Sequence, residues 1–142
     1  VVIPSSIIGS LAPVTIRQPQ GTYTLTPASR ISLAAIATNS DLLRGVGIDW
    51  GCGTGCLAIV AAKLASVERV IGLDNNELNI EVASQNAHDN GCARNTAFLH
   101  SDSYRPMTDA GRETVRAVAG SNRPDRGSIA YSARTVSPSL SL

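Results

Sequence analysis

The stretch Val46-Gly47-Ile48-Asp49-Trp50-Gly51-Cys52-Gly53-Thr54-Gly55 constrains the fold more than any other part of this chain. A short apolar run ends in an acid, breaks into alternating glycines and passes into Leu57-Ala58-Ile59-Val60-Ala61-Ala62-Lys63-Leu64, whose pattern predicts a helix. The order is strand, tight loop, helix. Glycine adopts positive φ at little cost and lets another group approach bare backbone, so three glycines at a strand-to-helix junction suggest a cradle for a small molecule. A second apolar run, Val70-Ile71-Gly72-Leu73, also closes on an acid, Asp74, and completes a βαβ unit.

The remaining signals extend that unit. Ser29 is expected to cap a helix over Ile31-Ser32-Leu33-Ala34-Ala35-Ile36-Ala37 ahead of the sheet. Cys56 to Ala65 is apolar nearly all round, as suits a helix packed on a sheet. Asn75 or Asn76 is expected to cap a further helix, with Glu77 in its first turn and Leu78, Ile80, Val82 and Ala83 on its buried side. Asn90-Gly91 ends that helix, and Thr96 to His100 reads as a third strand leading into Ser101-Asp102-Ser103-Tyr104. Strands alternating with helices predict an α/β, doubly wound, Rossmann-like and mostly parallel sheet. Residues 1–27 are rich in Pro, Ser, Thr and Gly, with a short strand or extended arm expected over Thr22 to Thr26. A helix is expected from Thr108 to Ala119 and a strand within Ile129 to Val136, in a Ser-, Arg- and Pro-rich C-terminal stretch.

At 142 residues the chain has room for one core, so a single domain is expected: an N-terminal arm and helix over 1–44, a βαβαβ core over 45–104 and a weakly patterned segment over 105–142. A formal net charge of +1 gives no bulk electrostatic reason to seek a nucleic-acid backbone or an anionic membrane as the main partner. The apolar start is interrupted by Pro4, Gly9 and Pro13 and carries no leading basic cluster, from which a cytoplasmic location is expected. Cys52, Cys56 and Cys92 have no zinc-like pairing, and we read them as reduced, small, semi-buried side chains, with no metal site expected.

In an open parallel sheet, ligands bind outside the carboxyl ends of the strands. Asp49, Gly51, Gly53, Gly55, Asp74 and Asp102 all fall at such ends in this reading. Asp74 follows the loop by about twenty residues, the position from which a carboxylate accepts hydrogen bonds from ribose hydroxyls. On this basis Asp74→Ala is expected to weaken ligand binding by about 1.5–3 kcal/mol. Gly53-x-Gly55-x-x-Ala58 also satisfies the dinucleotide fingerprint, so an NAD(P)-dependent oxidoreductase is an alternative. Asp49 weighs against it: charges about 4 Å apart interact by about 4 kcal/mol at an effective dielectric near 20, so this carboxylate opposes a pyrophosphate and favours a cationic ligand.

Taken together, these residues resemble the class I S-adenosylmethionine-dependent methyltransferases over about residues 45–104. IDWGCGTG is similar to their first motif, VIGLD to the strand ending in the ribose-binding acid, and HSD to the loop whose acid meets the adenine. ELNIEVASQNAHDNG is similar to a helix of the small-domain N-methyltransferases that act on ribosomal RNA or on protein glutamine. The resemblance implies S-adenosylmethionine as cofactor, with Asp49, Gly51, Gly53 and Gly55 around its methionine part, Asp74 on the ribose and Asp102 near the adenine amine. It further implies methyl transfer to a nitrogen of an RNA or protein acceptor. Those enzymes carry an Asn-Pro-Pro-aromatic loop after their fourth strand, which is absent here; the nearest segments are Asn122-Arg123-Pro124-Asp125 and Ser137-Pro138-Ser139. The expectation is therefore a cofactor-binding part with an altered or missing remainder, a non-catalytic binding fragment being the further alternative.

Tyr23, Thr26 and Ser29 either close over the cofactor, as the comparable Thr-Pro segment does in the resembling family, or form a plain loop. Trp50 is read as packing under the glycine loop, and His88 and His100 as structural or solvent-facing. Arginines 112, 116, 123, 126 and 134 are read as a solvated surface in preference to an RNA-binding face.

Overall fold

The computed structural model describes residues 1–101, so Asp102, the five arginines above and the elements expected beyond Tyr104 lie outside the described residues. Its centre is a three-stranded parallel sheet, β3 (Gly45–Trp50), β4 (Val67–Asp74) and β5 (Thr96–His100), in that spatial order. The register sets Ile48 beside Ile71 and Leu73 beside Leu99, which aligns the carboxyl ends of all three strands. Helices α3 (Cys56–Ala62) and α4 (Glu77–Asp89) make the two crossovers. Because the strand order advances in one direction, right-handed crossovers carry both helices on the same face of the sheet. The described core is thus a pair of successive βαβ units, one half of a Rossmann-like α/β fold.

Local chemistry accounts for each element. In α3 every residue but Leu57 is buried, which explains the all-round apolar sequence; the helix ends at Ala62, three residues earlier than expected, where Lys63 N–H turns back to Val60 O at 3.2 Å. Gly72 in the central strand is required by packing, since a Cβ there would run into the Phe98 ring of β5 and lie 3.0 Å from Cys52 Sγ. The helix before the sheet, α2, spans Pro27–Thr38 and so begins earlier than the sequence pattern predicts. Its cap is Thr26, not Ser29: Thr26 Oγ1 accepts from Ser29 N–H at 3.3 Å, and Ser29 Oγ accepts from Thr26 N–H at 3.2 Å. Pro27, with φ already fixed at a helical value, supplies the first position of this capping box.

Helix α4 is capped by Asn76, whose side chain accepts from Leu78 N–H, but its buried face differs from the apolar one expected. Asn79, Ala83, Asn86 and Ala87 face inward, while Leu78 is 39% exposed. The asparagines point inward because they hold main chain. Asn86 accepts from Arg17 N–H and donates to Arg17 O, and Asn90 does the same for Thr15, so two amides one helical turn apart bind alternate residues of an extended segment as a neighbouring strand would.

That segment belongs to a small N-terminal unit. Strands β1 (Val2–Ile3) and β2 (Val14–Thr15) pair antiparallel, with the short helix α1 (Ser5–Ile8) between them. Ile3, Ile8, Val14 and Ile16 are fully buried and join Leu33 and the apolar residues of α3 in one cluster. Of the two alternatives expected over Thr22 to Thr26, a short strand or an extended arm, the strand does not form; Thr22 N–H bonds Pro19 O in a turn, and the chain runs without regular structure into the α2 cap. Among the described residues no helix is long and apolar enough to cross a membrane.

Candidate functional site

The carboxyl ends of β3 and β4 bring Asp49, the glycine loop and Asp74 together. Two donors of the loop, the Gly51 and Cys52 N–H groups, both bond Leu73 O, at 2.7 and 2.9 Å, tying the loop to the end of β4. Gly53 N–H donates to Asp74 Oδ2 at 2.8 Å, and Gly55 N–H closes a turn on Cys52 O at 2.9 Å. The loop therefore spends most of its own donors internally.

Asp49 sits one residue before the end of β3 and is 5% exposed. Its Oδ2 accepts from Ala58 N–H at 3.1 Å, in the first turn of α3, where the preceding residue Gly55 has no side chain with which to cap the helix. Burial pushes the Asp49 carboxyl up to about 6; the Ala58 N–H bond offsets part of this and the nearby Asp74 charge adds to it. Asp74 is 8% exposed and accepts three hydrogen bonds: Oδ2 from Gly53 N–H, and Oδ1 from Asn76 N–H at 2.9 Å and Asn79 Nδ2 at 3.1 Å. Two carboxylates and the start of a helix thus share a largely buried corner.

The three loop glycines differ in what demands them. All have positive φ, at 71°, 53° and 83° for Gly51, Gly53 and Gly55. A Cβ on Gly53 would lie 2.8 Å from Tyr23 Cδ1, and one on Gly55 would lie 3.0 Å from Ala83 Cβ and 3.1 Å from Phe98 Cζ. Among the described residues, nothing lies within 4 Å of a Cβ at Gly51, the one loop glycine of the three where this is so. Gly53→Ala is accordingly expected to destabilise the fold by about 2–4 kcal/mol, combining left-handed strain with the clash on Tyr23, and Gly51→Ala by about 1–2 kcal/mol from backbone strain alone. Chemical denaturation of the two variants measures the difference, and adding Tyr23→Ala is expected to relieve only the ring's share of the clash, for Gly53→Ala alone, since the Cβ of residue 23 stays 2.9 Å from the new methyl group.

Tyr23, Thr26 and Ser29 meet over this loop. The Tyr23 ring lies against Gly53, and its hydroxyl is 3.1 Å from Ser29 Oγ and 3.4 Å from Thr26 Oγ1. Tyr23 N–H donates to Asn79 Oδ1 at 2.9 Å, which joins the N-terminal segment through Asn79 to Asp74. Asn79 escapes a reading by apolar periodicity because it counts there as solvent-facing. The signal that finds it is the spacing Asn79, Ala83, Asn86, Ala87, Asn90, a single helical face of small residues and amides.

Other singled-out residues stand apart from this corner or serve its packing. His88 is largely exposed beside Asp89, with Nδ1 3.5 Å from Oδ1. His100, at the end of β5, has Nε2 3.1 Å from Asn75 O. Trp50 is half-buried at the end of β3. The three cysteines are buried free thiols; burial raises all of them, Cys56 to about 12 and Cys52 well above the ordinary range, so both loop cysteines are held protonated.

The arrangement suits a ligand that is cationic and carries hydroxyl groups. Asp74 retains acceptor capacity on Oδ2, Gly51 leaves a gap in the loop, and Asp49 sets a buried negative charge beside both. It is poorly suited to a pyrophosphate. The loop N–H groups that would cradle an anion bond Leu73 O, Cys52 O and the Asp74 carboxylate, and the first turn of α3 already holds an acid.

Comparison with known proteins agrees with that direction. The family model for ribosomal protein L11 methyltransferases (PrmA) matches residues 24–115. The ribosomal protein L11 methyltransferase of Photobacterium profundum is 44% identical over 63 residues, covering 44% of this chain and 21% of that protein. That of Tolumonas auensis is 52% identical over 51 residues, covering 36% of this chain and 17% of that protein. This chain therefore spans about a fifth of the length of the curated relatives it matches. Among solved structures, precorrin 8w decarboxylase of Methanobacterium thermoautotrophicum superposes with a TM-score of 0.51 at 22% identity, covering 65% of this chain and 47% of that one, which establishes a shared fold. With well over half of its length, residues 24–115, under one family model, the chain belongs to the ribosomal protein L11 methyltransferase (PrmA) family.

Proposed function

We propose that this chain forms the S-adenosylmethionine-binding part of a methyltransferase that modifies a nitrogen of a protein acceptor. The observation that carries the reading is the pairing of Asp49 and Asp74 around the glycine loop, each accepting from a backbone N–H that a phosphate-binding loop would offer to its ligand. This corner repels a pyrophosphate and attracts a positive charge. When bound, S-adenosylmethionine supplies a methyl group on a positively charged sulfur, transferred by in-line displacement to a nucleophile.

In this reading Asp74 accepts from the ribose, Gly51 gives close access to the backbone, and the Asp49 charge favours the ammonium of the methionine part. Asp102 serves the adenine, and Gly53 and Gly55 shape the loop. The task of these residues is orientation, since the displacement needs alignment more than a proton-transfer group. A protein acceptor is supported by the names of the relatives, which specify a ribosomal protein.

Calorimetric titration with S-adenosylhomocysteine, and in parallel with NADH, tests the cofactor. Binding of S-adenosylhomocysteine with no heat from NADH is the expected result. Tight binding of NADH alone would return the chain to the dinucleotide-dependent oxidoreductases.

A further inference from the structure

We propose that Asn79 is a second ribose ligand, acting with Asp74 on one hydroxyl of the vicinal diol; this rests on the reading of Asp74 as the ribose-binding acid. The orientation of the Asn79 amide is set from both ends. Its Oδ1 accepts from Tyr23 N–H, which can only donate, and its Nδ2 donates to Asp74 Oδ1, so the reversed orientation would lose both bonds.

Counting donors and acceptors then exposes a complementary pair. A carboxylate offers about four lone-pair positions, and Asp74 has three filled, two on Oδ1 and one on Oδ2. An amide nitrogen carries two hydrogens, and among the described residues Asn79 Nδ2 places one, on Asp74. One acceptor position on Oδ2 and one N–H on Nδ2 remain, on adjoining groups that are 8% and 6% exposed. A hydroxyl is the simplest group that satisfies both, donating to Asp74 while accepting from Asn79. Buried polar groups left partly unused carry a cost, so a ligand hydroxyl that completes both gains more here than at a solvated acid.

This assignment gives Asn79 two functions. It anchors the N-terminal segment through Tyr23, and it reads the sugar. The two are separable, because Asn90 holds the same segment through Thr15 and its side chain reaches neither Asp74 nor the glycine loop, whereas Asn86 also donates to Thr54 O in that loop. Replacing Asn90 disturbs the segment without touching the loop.

The test is calorimetric affinity for S-adenosylhomocysteine and its 2′-deoxy and 3′-deoxy analogues, measured at pH 8 on the wild type, Asn79→Ala, Asn79→Leu and Asn90→Ala. The wild type is expected to discriminate against one deoxy analogue. Asn79→Ala is expected to weaken S-adenosylhomocysteine about five- to tenfold while leaving that analogue unchanged, so that the discrimination contracts by the same factor. Asn79→Leu keeps nearly the shape of the side chain, removes the amide and adds no charge beside Asp74 Oδ1, 3.1 Å away, so it gives the same contraction even if the alanine variant folds poorly. Asn90→Ala retains the full discrimination. If both Asn79 variants keep the wild-type preference, or weaken all three ligands equally, Asn79 is a structural anchor and the proposal is wrong. A wild type that fails to bind S-adenosylhomocysteine overturns the cofactor reading itself, and this one with it.

Discussion

Asp74→Ala is expected to lower the unfolding free energy by about 3–5 kcal/mol, far beyond the roughly 0.5 kcal/mol typical of a surface acid. The cause is the number of donors the carboxylate serves. Removing it strands Gly53 N–H at the loop, Asn76 N–H at the cap of α4 and Asn79 Nδ2 at the anchor of the N-terminal segment. Asp74→Asn does not rescue the site, because either orientation of the new amide turns its NH₂ toward a donor: Gly53 N–H on one side, Asn76 N–H and Asn79 Nδ2 on the other. Urea unfolding reads both variants, and a change within 0.5 kcal/mol for the alanine variant would mean that the network contributes nothing to stability. Affinity for S-adenosylhomocysteine is expected to fall by more than the 1.5–3 kcal/mol suggested by the sequence, since the loop shape depends on the same oxygen that meets the ligand.

That difference illustrates what the sequence discloses. The βαβ order is legible because apolar runs of strand length, an almost wholly apolar helix and punctuating glycines are local signals, and the structure places β3, α3, β4, α4 and β5 where they fall, within a few residues. The nearness of Asp49 and Asp74 is legible for a related reason: parallel strands in register bring their carboxyl ends together. What each group bonds there is another matter. Asp49 caps α3 and Asp74 supports the loop, and neither bond follows from residue spacing alone.

The N-terminal unit is hidden for a different reason. Its strands are two residues long, below the length at which alternation is distinguishable from chance, and its partners are the side chains Asn86 and Asn90, about seventy residues further along. An inward-facing asparagine that mimics a β-strand edge has no periodic signature, since a polar residue on a helix is read as exposed. The glycines mislead in the opposite direction. Three positions resemble a cradle for a ligand, yet Gly53 and Gly55 are held bare by Tyr23, Ala83 and Phe98, which leaves Gly51 as the open one. Sequence marks where backbone must be approached closely, without saying by what.

Asp49→Asn is expected to move stability and ligand binding in opposite directions. The carboxyl pKa rises from 3.8 to about 6 on folding, mainly through burial. Between those values the folded chain holds a proton that the unfolded chain has released, so this residue's contribution falls as pH rises from about 4 and reaches its full cost above about 6. A shift of that size corresponds to about 3 kcal/mol. Asparagine keeps an oxygen for Ala58 N–H and removes the buried charge, so the variant is expected to be more stable than the wild type by about 1–2 kcal/mol at pH 8, part of the gain being lost to the new NH₂ group. At pH 4, where the wild-type carboxyl is protonated, the advantage disappears. Thermal unfolding at the two pH values reads this sign directly. Binding of S-adenosylhomocysteine is expected to weaken by about 10- to 100-fold at pH 8, the loss of a charge-assisted contact to an ammonium. A variant that is both more stable and weaker in binding identifies Asp49 as a buried charge retained for its ligand, against the stability of the fold; one that is less stable with unchanged affinity makes it a helix cap and nothing more.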